Sequence, residues 1–206
     1  QNTAVWLEDL PVDMEKLQRL RALGMNMVFF DTDKGLPFAD CVALANEKAV
    51  RALCEKLRER GCRDIRYAGW DRRDIYSIAR REEACLKETG KEEVFLHLPW
   101  EYRHNGSDFV LNYLKEYKGA LPDAIVCGDR ENAAAVSYAL RRLKLTQIQV
   151  AGIDDFPEAR RHHVITYRQN LEESVKQIFN CLAVQNQKQA EWKARLCQVG
   201  GTLSCY

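Results

Sequence analysis

Carboxylate and amide side chains follow several short apolar runs in this 206-residue chain. Residues 150–153 are apolar and end at Asp154 and Asp155, and the apolar residues 164–167 are followed closely by Gln169. Other runs end in the same way, at Asp31, at Trp70 and Asp71, at Pro99 and Trp100, and at Gly128 and Asp129. Carboxylates and amides form hydrogen bonds with vicinal hydroxyl groups, and an indole ring offers an apolar face to a sugar ring. Since each charge-assisted bond contributes roughly 1.5–3 kcal/mol, these residue types favour a polyhydroxylated ligand.

The polar positions also have purely structural interpretations. Asp129 precedes a helical pattern, and capping that helix does not exclude a role beside a ligand. Asp155 precedes a Phe-Pro pair and is typical of a turn, so Asp154, which directly ends the apolar run, is the better ligand candidate. Gly128 is either a turn residue or the position that lets a ligand approach a helix N-terminus.

The aromatic and arginine candidates leave the same choice open. Trp70 and Trp100 belong to a residue type that packs in cores more often than it stacks on sugars. Arg80 and Arg81 lie early in a predicted helix beside two glutamates, where surface ion pairing is the default interpretation. A guanidinium that faces a cleft would instead hold hydroxyl groups or a phosphate in its fixed fork.

The sequence lacks the familiar catalytic and metal-binding patterns. It contains no GxSxG, P-loop, GxGxxG or HExxH motif. Asp154 and Asp155 are adjacent, so on a strand they would point to opposite faces and could not act as an acid–base pair. His162 and His163 stand among arginines without metal-ligand spacing, and we expect them in a solvated loop. We therefore predict that the chain is not an enzyme and holds no resident cofactor or metal ion.

The composition limits the cellular compartment and the partners that we expect for the protein. There are eight cysteines, none spaced as CxxC, which favours free thiols packed as small core side chains and hence a reducing, cytoplasmic compartment. A net charge of +1 argues against nucleic acid as the direct partner of these residues. No apolar run is long enough to span a bilayer, so we expect no membrane partner.

Strand and helix patterns alternate along almost the whole chain, which predicts α/β architecture with parallel sheets covered by helices. We predict strands at residues 4–7, 27–30, 65–68, 94–98, 124–127, 150–153 and 164–167, and a final extended segment at 194–206. Helical patterns lie between the strands, with Ser77 and Ser107 as expected N-caps. Ligands of parallel α/β sheets bind beyond the carboxyl ends of the strands, so the polar residues that end the runs should face a ligand.

Taken in order, these segments resemble the effector-binding core of the lactose-repressor/galactose-repressor (LacI/GalR) family. VFFDTDKGLPFAD is similar to the family's strand with its acidic turn, IARREEACL to its R-x-x-G-F segment, and AIVCGDRENAAAV to its strand and Asp before a helix. VAGIDDF resembles VxGxDD, and ITYRQNLEESV resembles TTxxQxxxxxG. Within the family, RREEACL, DKGLP and GTLS are most similar to the trehalose-repressor branch, which implies trehalose 6-phosphate as a candidate effector.

The resemblance implies an effector site for a sugar or sugar phosphate. By position, Asp31, Arg81, Gly128, Asp154 and Gln169 fall where family members contact a sugar, and we add the adjoining Arg80, Trp100 and Asp129. Gly128 stands where the family has a polar side chain, so one hydrogen bond would be absent or supplied by the backbone. Ala84 and Cys85 replace a usual glycine and aromatic residue, which leaves the register of the two arginines open.

The resemblance also implies a two-lobed, periplasmic-binding-protein-like fold with the effector in the cleft between the lobes. One lobe would hold residues 1–45 and 169–193, and the other would hold residues 46–168 and 194–206. The first strands of the N-terminal lobe and a DNA-binding headpiece would be absent from these residues. Operator DNA would be bound through that headpiece by a homodimer.

Two other classes of protein are compatible with such an architecture. A secreted periplasmic sugar-binding protein of a transport system shares it, although eight free cysteines count against secretion. An enzyme on a flavodoxin-like sheet would need a catalytic constellation, which the motifs do not supply.

Overall fold

The computed structural model describes residues 3–7, 13–36, 38–188 and 192–206. The described residues form two compact units. The first unit takes in the described residues up to Ala45, residues 75–77 and the described part of residues 170–200. The second unit takes in residues 46–74, 78–169 and 201–206. Each unit is therefore assembled from segments that are far apart in the chain.

The described strands are β1 (Thr3–Leu7), β2 (Asn26–Phe30), β3 (Asp40–Leu44), β4 (Ile65–Trp70), β5 (Leu96–Leu98), β6 (Ala124–Cys127), β7 (Gln149–Ile153), β8 (Ile165–Gln169), β9 (Leu196–Val199) and β10 (Gly201–Ser204). The described helices are α1 (Met14–Ala22), α2 (Asn46–Glu59), α3 (Tyr76–Thr89), α4 (Gly106–Glu116), α5 (Arg130–Arg142) and α6 (Leu171–Lys188). A short 3-10 turn covers Trp100–Tyr102. None of these helices combines the length and the apolar character needed to cross a membrane.

The first unit contains a four-stranded parallel sheet in the order β1-β2-β3-β9. Its strands β2 and β3 are almost wholly buried, and α6 packs on β2, β3 and β9. Leu17 of α1 joins Met27 and Phe29 of β2 in one apolar cluster. The predicted strand at 27–30 and the amphipathic helix before it are thus confirmed.

The second unit contains a six-stranded sheet in the order β10-β8-β7-β6-β4-β5, in which only β10 runs antiparallel to its neighbour. Every residue of β6 is buried, as expected for a central parallel strand. Helices α2 and α5 both pack on β6 and β7. The predicted α/β architecture, parallel sheets flanked by helices, is confirmed.

The structure contains one strand that the sequence did not predict, and two helices begin at residues other than those expected. Strand β3 was not predicted, because a short apolar run that leads directly into a helix carries no period of its own. Ser77 lies inside α3, which begins at Tyr76, so it is not the residue before the helix. Ser107 likewise lies inside α4, whose N-cap position is Asn105.

The predicted assignment of residues 194–206 to one lobe is wrong in part. Strand β9 pairs in parallel with β3 of the first unit, with Cys41 opposite Leu196. Strand β10, which begins only two residues after β9 ends, pairs with β8 of the second unit. The alternation of side chains shows which face of a strand is buried, but it does not show which sheet the strand joins. The sequence therefore gave no sign that the chain passes from the first sheet to the second within this extended segment.

Candidate functional site

Asp154 and Gln169 end two neighbouring parallel strands of the second unit. Asp154 follows β7, Gln169 ends β8, and the pairing of Ile153 with Tyr167 brings the two ends together. Gln169 Nε2 donates to Asp154 Oδ2 at 2.8 Å, and both residues are partly exposed. An amide has two N–H donors and one carbonyl oxygen, and a carboxylate accepts several bonds, so this pair can still bond ligand hydroxyl groups.

The backbone at Asp154 has a left-handed conformation, with φ of 68°. Asp and Asn tolerate this conformation better than most residues because their short side chains bond locally. The Asp154 amide N–H donates to the carbonyl oxygen of Tyr167 at 2.9 Å, which continues the β7–β8 ladder past the end of the strand. The carboxylate is thereby held at the carboxyl edge of the sheet.

Asp31 occupies the corresponding position in the first unit. It follows β2, has φ of 56°, and donates its amide N–H to Val42 of β3 at 2.8 Å. The same turn geometry therefore places an acidic residue at the end of a parallel strand in each unit. Asp31 belongs to the first unit, and the other predicted site residues belong to the second.

Arg81 is the buried cation of the second unit, with 5% of its surface exposed. Its Nε donates to Asn46 Oδ1 at 2.9 Å, and its Nη1 donates to the carbonyl oxygen of Gly128 at 2.9 Å. Both acceptors are neutral, and these bonds use two of the five N–H donors of the guanidinium. The nearby Asp129 carboxyl compensates part of the buried charge, and a ligand oxygen or anion at this edge would bond the remaining N–H donors of Arg81.

Asp129 has both of the roles that the sequence left open, a cap and a member of the carboxyl edge. Its Oδ1 accepts the amide N–H of Asn132 at 2.8 Å, which caps α5, and its Oδ2 accepts the indole N–H of Trp70. Burial raises the pKa of the Asp129 carboxyl above its ordinary value, although the Asn132 bond and the nearby Arg81 act in the opposite direction. The carboxylate is therefore tied to its own protein and orients Trp70.

Gly128 packs against the side chain of Tyr67. A Cβ atom at Gly128 would lie 2.5 Å from the Tyr67 hydroxyl oxygen and 3.3 Å from Asn132 Oδ1. Both the Tyr67 hydroxyl and the Asn132 amide are buried without a hydrogen-bond partner among the described residues. Tyr67 thus fills the space that a side chain at position 128 would take.

Trp100 is half-buried beside Trp70, with ring centroids 5.6 Å apart in an edge-to-face arrangement. The Arg72 and Arg103 guanidinium groups each lie 5.3 Å from the centroid of its ring. Its backbone N–H donates to Asp71 Oδ1 at 2.9 Å, which ties the turn after β5 to the end of β4. The partly exposed indole is held in place from several sides.

Arg80 lies in different surroundings from Arg81. Its Nη1 forms an ion pair with Glu83 at 3.1 Å, and it lines a surface hollow with Arg51 and Lys87. Asp155 fixes a turn, as the sequence indicated, since its Oδ1 accepts the Phe156 amide at 3.0 Å.

The structure therefore assembles a carboxyl edge in the second unit, which we define by Trp70, Trp100, Arg81, Gly128, Asp129, Asp154 and Gln169. Sequence reasoning missed Tyr67 and Asn132, which look like core residues because each lies inside a buried element. It also missed Arg130, which lies close enough to both Asp129 and Asp154 for their charges to raise its pKa, after the larger effect of Glu131. The only feature of the sequence that could have indicated Arg130 is its position directly after Asp129.

Metal ligation and disulfide chemistry have little support in the described part of the chain. No group of three His, Cys, Asp or Glu side chains in residues 3–7, 13–36, 38–188 and 192–206 is placed to hold a metal ion. All eight cysteines are free thiols, and six of them are buried. Burial raises the pKa of the Cys41 thiol to about 12, which keeps it protonated at neutral pH.

Comparison with known proteins gives this geometry a context. No curated protein matches the chain. The trehalose repressor from Escherichia coli is 19% identical, with a TM-score of 0.71, and the match covers 97% of this chain and 76% of that one. A LacI family transcriptional regulator from Enterococcus faecalis V583 with bound ribose is 14% identical, with a TM-score of 0.77 and coverage of 100% and 77%.

An ABC transporter solute binding protein from Burkholderia graminis C4D1M, in complex with D-arabinose, is 16% identical, with a TM-score of 0.78 and coverage of 98% and 75%. At such identities these likenesses concern the fold alone. A family model described as a periplasmic binding protein-like domain matches residues 54–195, which is more than half of the sequence. The chain therefore belongs to the periplasmic binding protein-like domain family.

Proposed function

We propose that this chain is the effector-sensing domain of a LacI/GalR-type transcriptional regulator, and that its carboxyl edge binds a sugar or sugar phosphate. The observation that carries the proposal is the Asp154–Gln169 pair, held across two parallel strands and partly exposed. Family membership and the order of the sequence motifs support the assignment.

In this proposal, each residue of the carboxyl edge contacts a different group of the ligand. The Asp154 carboxylate accepts bonds from vicinal hydroxyl groups, while Gln169 both orients that carboxylate and offers its own amide. Trp100 supplies an apolar surface for a sugar ring. Arg81 compensates a phosphate or a polarised oxygen, and its bond to the Gly128 carbonyl keeps the guanidinium at this edge. Trehalose 6-phosphate, a disaccharide with one phosphate, has both kinds of group.

Regulation follows if the effector and operator DNA favour different arrangements of the protein. The coupling between two such sites is typically about 1–3 kcal/mol. Operator binding belongs to a headpiece outside these residues, and a homodimer would present two headpieces to a symmetric operator. In this proposal the domain binds and releases its effector without catalysis.

A transport-type sugar-binding protein is the second candidate, because a solute binding protein shares the fold with a TM-score of 0.78. The free, mostly buried cysteines favour the regulator, since proteins of oxidising compartments rarely retain so many thiols. Binding of the full-length protein to DNA from its own promoter region, and release by sugar, would decide for the regulator. Sugar binding without any DNA binding would decide for transport.

The direct test is a calorimetric titration of sugars and sugar phosphates into wild-type protein and Asp154→Ala. Loss of the carboxylate should weaken the binding of the best ligand at least about tenfold, or about 1.4 kcal/mol. Glu116→Ala is a matched control, because Glu116 is an exposed acidic residue that ends α4, at the opposite end of that helix from the turn that carries Trp100.

Both variants should unfold cooperatively with circular dichroism spectra like that of the wild type. Equal affinity of wild type and Asp154→Ala for every ligand would contradict the role of Asp154. Absence of any sugar or sugar-phosphate binding by the wild type would contradict the proposed function itself.

A further inference from the structure

A second concave site lies at the opposite end of the second sheet, where β7 begins. It is a cavity of about 170 Å³. Its polar lining comes from the end of α2, the last turns of α5, the start of β7 and the loop before β8, as Arg60, Ser137, Arg141, Gln149, His162 and His163. We name this set the amino-edge pocket. Apolar side chains, including Leu140 and Ile148, complete its wall.

The amino-edge pocket is electropositive. Arg60 and Arg141 are permanently charged, and the two histidines add a further cationic capacity. None of the described residues that line the pocket is acidic. Glu158 lies near enough to His162 to act on its charge, but Arg141 and Arg161 act in the opposite direction. The pocket therefore combines excess positive charge with several hydrogen-bond donors.

Part of this lining is already ordered. Arg60 Nη1 donates to Gln149 Oε1 at 3.2 Å, which joins the end of α2 to the start of β7. Ser137 Oγ lies 3.1 Å from His162 Nδ1 and donates to the carbonyl oxygen of Ala134 at 3.1 Å. His162 and His163 lie in a loop as the sequence indicated, and His163 is exposed, but the His162 ring is partly buried against α5.

We propose that the amino-edge pocket binds the phosphate group of a small compound. Guanidinium groups match phosphate oxygens in geometry and charge, and the hydroxyl and imidazole groups can donate to the remaining oxygens. A hollow of about 170 Å³ suits one phosphate group, and the net charge of +1 argues against a nucleic-acid strand as the ligand. This site is independent of the sugar site at the carboxyl edge.

The experiment titrates inorganic phosphate into the full chain by calorimetry, in chloride buffers of constant ionic strength. Arg141→Gln should weaken phosphate binding at least about tenfold, because charge-assisted bonds to a guanidinium are lost. Arg142→Gln is the matched control, since Arg142 is the exposed neighbour of Arg141 and does not line the pocket. Arg60→Gln should weaken binding as well, and it tests the opposite wall.

Proton linkage provides a second readout. Burial, together with Arg141 and Arg161, lowers the pKa of His162 below its ordinary value of 6.5, whereas Glu158 opposes the shift. A bound anion favours the protonated ring, so binding should take up a proton and tighten as the pH falls below about 6.5. Sulfate is the probe for this measurement, because its own charge stays constant, and His162→Gln should reduce the pH dependence.

The outcomes separate the alternatives. Tight phosphate binding that is lost in Arg141→Gln and Arg60→Gln but kept in Arg142→Gln supports the proposal. No phosphate binding, equal losses in all three variants, or equal binding of chloride would overturn it. Binding that survives Arg141→Gln and disappears in Arg81→Gln would place the anion at the carboxyl edge and would also overturn it.

Discussion

Tyr67 and Gly128 form a complementary pair of residues beneath the carboxyl edge. The Tyr67 ring crosses from β4 to the end of β6, where the absence of a side chain at Gly128 leaves room for its hydroxyl group. That hydroxyl is buried without a partner among the described residues, and burial raises its pKa well above the ordinary value. The role of Tyr67 that the structure shows is therefore steric, since its ring and hydroxyl group fill the space above Gly128.

Gly128→Ala should lower the free energy of unfolding by about 2 kcal/mol, because an added Cβ would lie 2.5 Å from the Tyr67 oxygen. The loss should be smaller in a Tyr67→Phe background, where that oxygen is gone. Urea unfolding of the two single variants and the double variant measures this coupling. Gly106→Ala is a control, since its Cβ would come no closer than 3.2 Å to a flexible leucine. Equal losses with and without the tyrosine hydroxyl would contradict this account.

The sequence predicted the positions of some residues of the carboxyl edge and gave no signal for the contacts of others. Asp154 and Gln169 were predicted because each stands at the end of a buried run, and parallel strands bring such ends to one edge. The bond from Trp70 to Asp129 joins residues 59 positions apart and has no local signature. Arg80 and Arg81 were inseparable in the sequence, and only the orientation of α3 assigns one to the surface and the other to the interior.

At the scale of elements, α6 is joined to the first sheet through a buried polar contact. Gln185 Oε1 accepts the Met27 amide N–H at 2.9 Å, and Gln185 Nε2 donates to the Met27 carbonyl oxygen at 2.7 Å and to Asp40 Oδ2 at 2.8 Å. Asp40 also accepts bonds from the Trp192 indole and the Arg195 amide. One amide side chain thus satisfies the backbone of β2 and fixes the register of the helix on the sheet.

Gln185→Leu should destabilise the first unit by about 3 kcal/mol, because the buried N–H and carbonyl groups of Met27 lose their bonds to Gln185 and Asp40 Oδ2 loses one of its donors. Gln187→Leu on the exposed side of the same helix is the matched control and should change stability by less than about 0.5 kcal/mol. Hydrogen exchange of the β2 amides measures the local effect. Unchanged protection of β2 in Gln185→Leu would show that the contact does not hold the helix.

Element prediction succeeded where one period or one cap dominates. Helix α5 begins after Asp129, whose carboxylate caps it as the sequence indicated, and β6 matches its predicted bounds. Strand β3 was missed since its run of five residues joins α2 almost without a break. β3 forms a strand because it pairs with β2 on one side and β9 on the other. Pairing with β9, which is distant in the chain, cannot be read from the residues of β3 alone.

At the scale of the whole molecule, the final residues contribute one strand to each unit. β9 is one of the two edge strands of the first sheet, the other being β1, and β10 covers the edge of β8 in the second. Gly201 lies so close to β8 that an added Cβ would meet the Arg168 carbonyl oxygen, and its amide N–H donates to the Tyr167 hydroxyl at 2.8 Å. The tail therefore protects the strand that carries Gln169.

Deletion of residues 201–206 should destabilise the second unit by about 3 kcal/mol, because the β10–β8 hydrogen bonds and the bond from Tyr206 to Asp155 are lost together. Hydrogen exchange should quicken in Ile165–Gln169 while β2 and β3 keep their protection, since β9 remains in place. Tyr206→Phe, which removes the hydroxyl group that bonds Asp155, should reproduce less than half of the loss. Sugar affinity should fall in the deletion, because Gln169 would then end an unprotected edge strand. Wild-type exchange rates throughout β8 in the deletion would rule out this role of the tail.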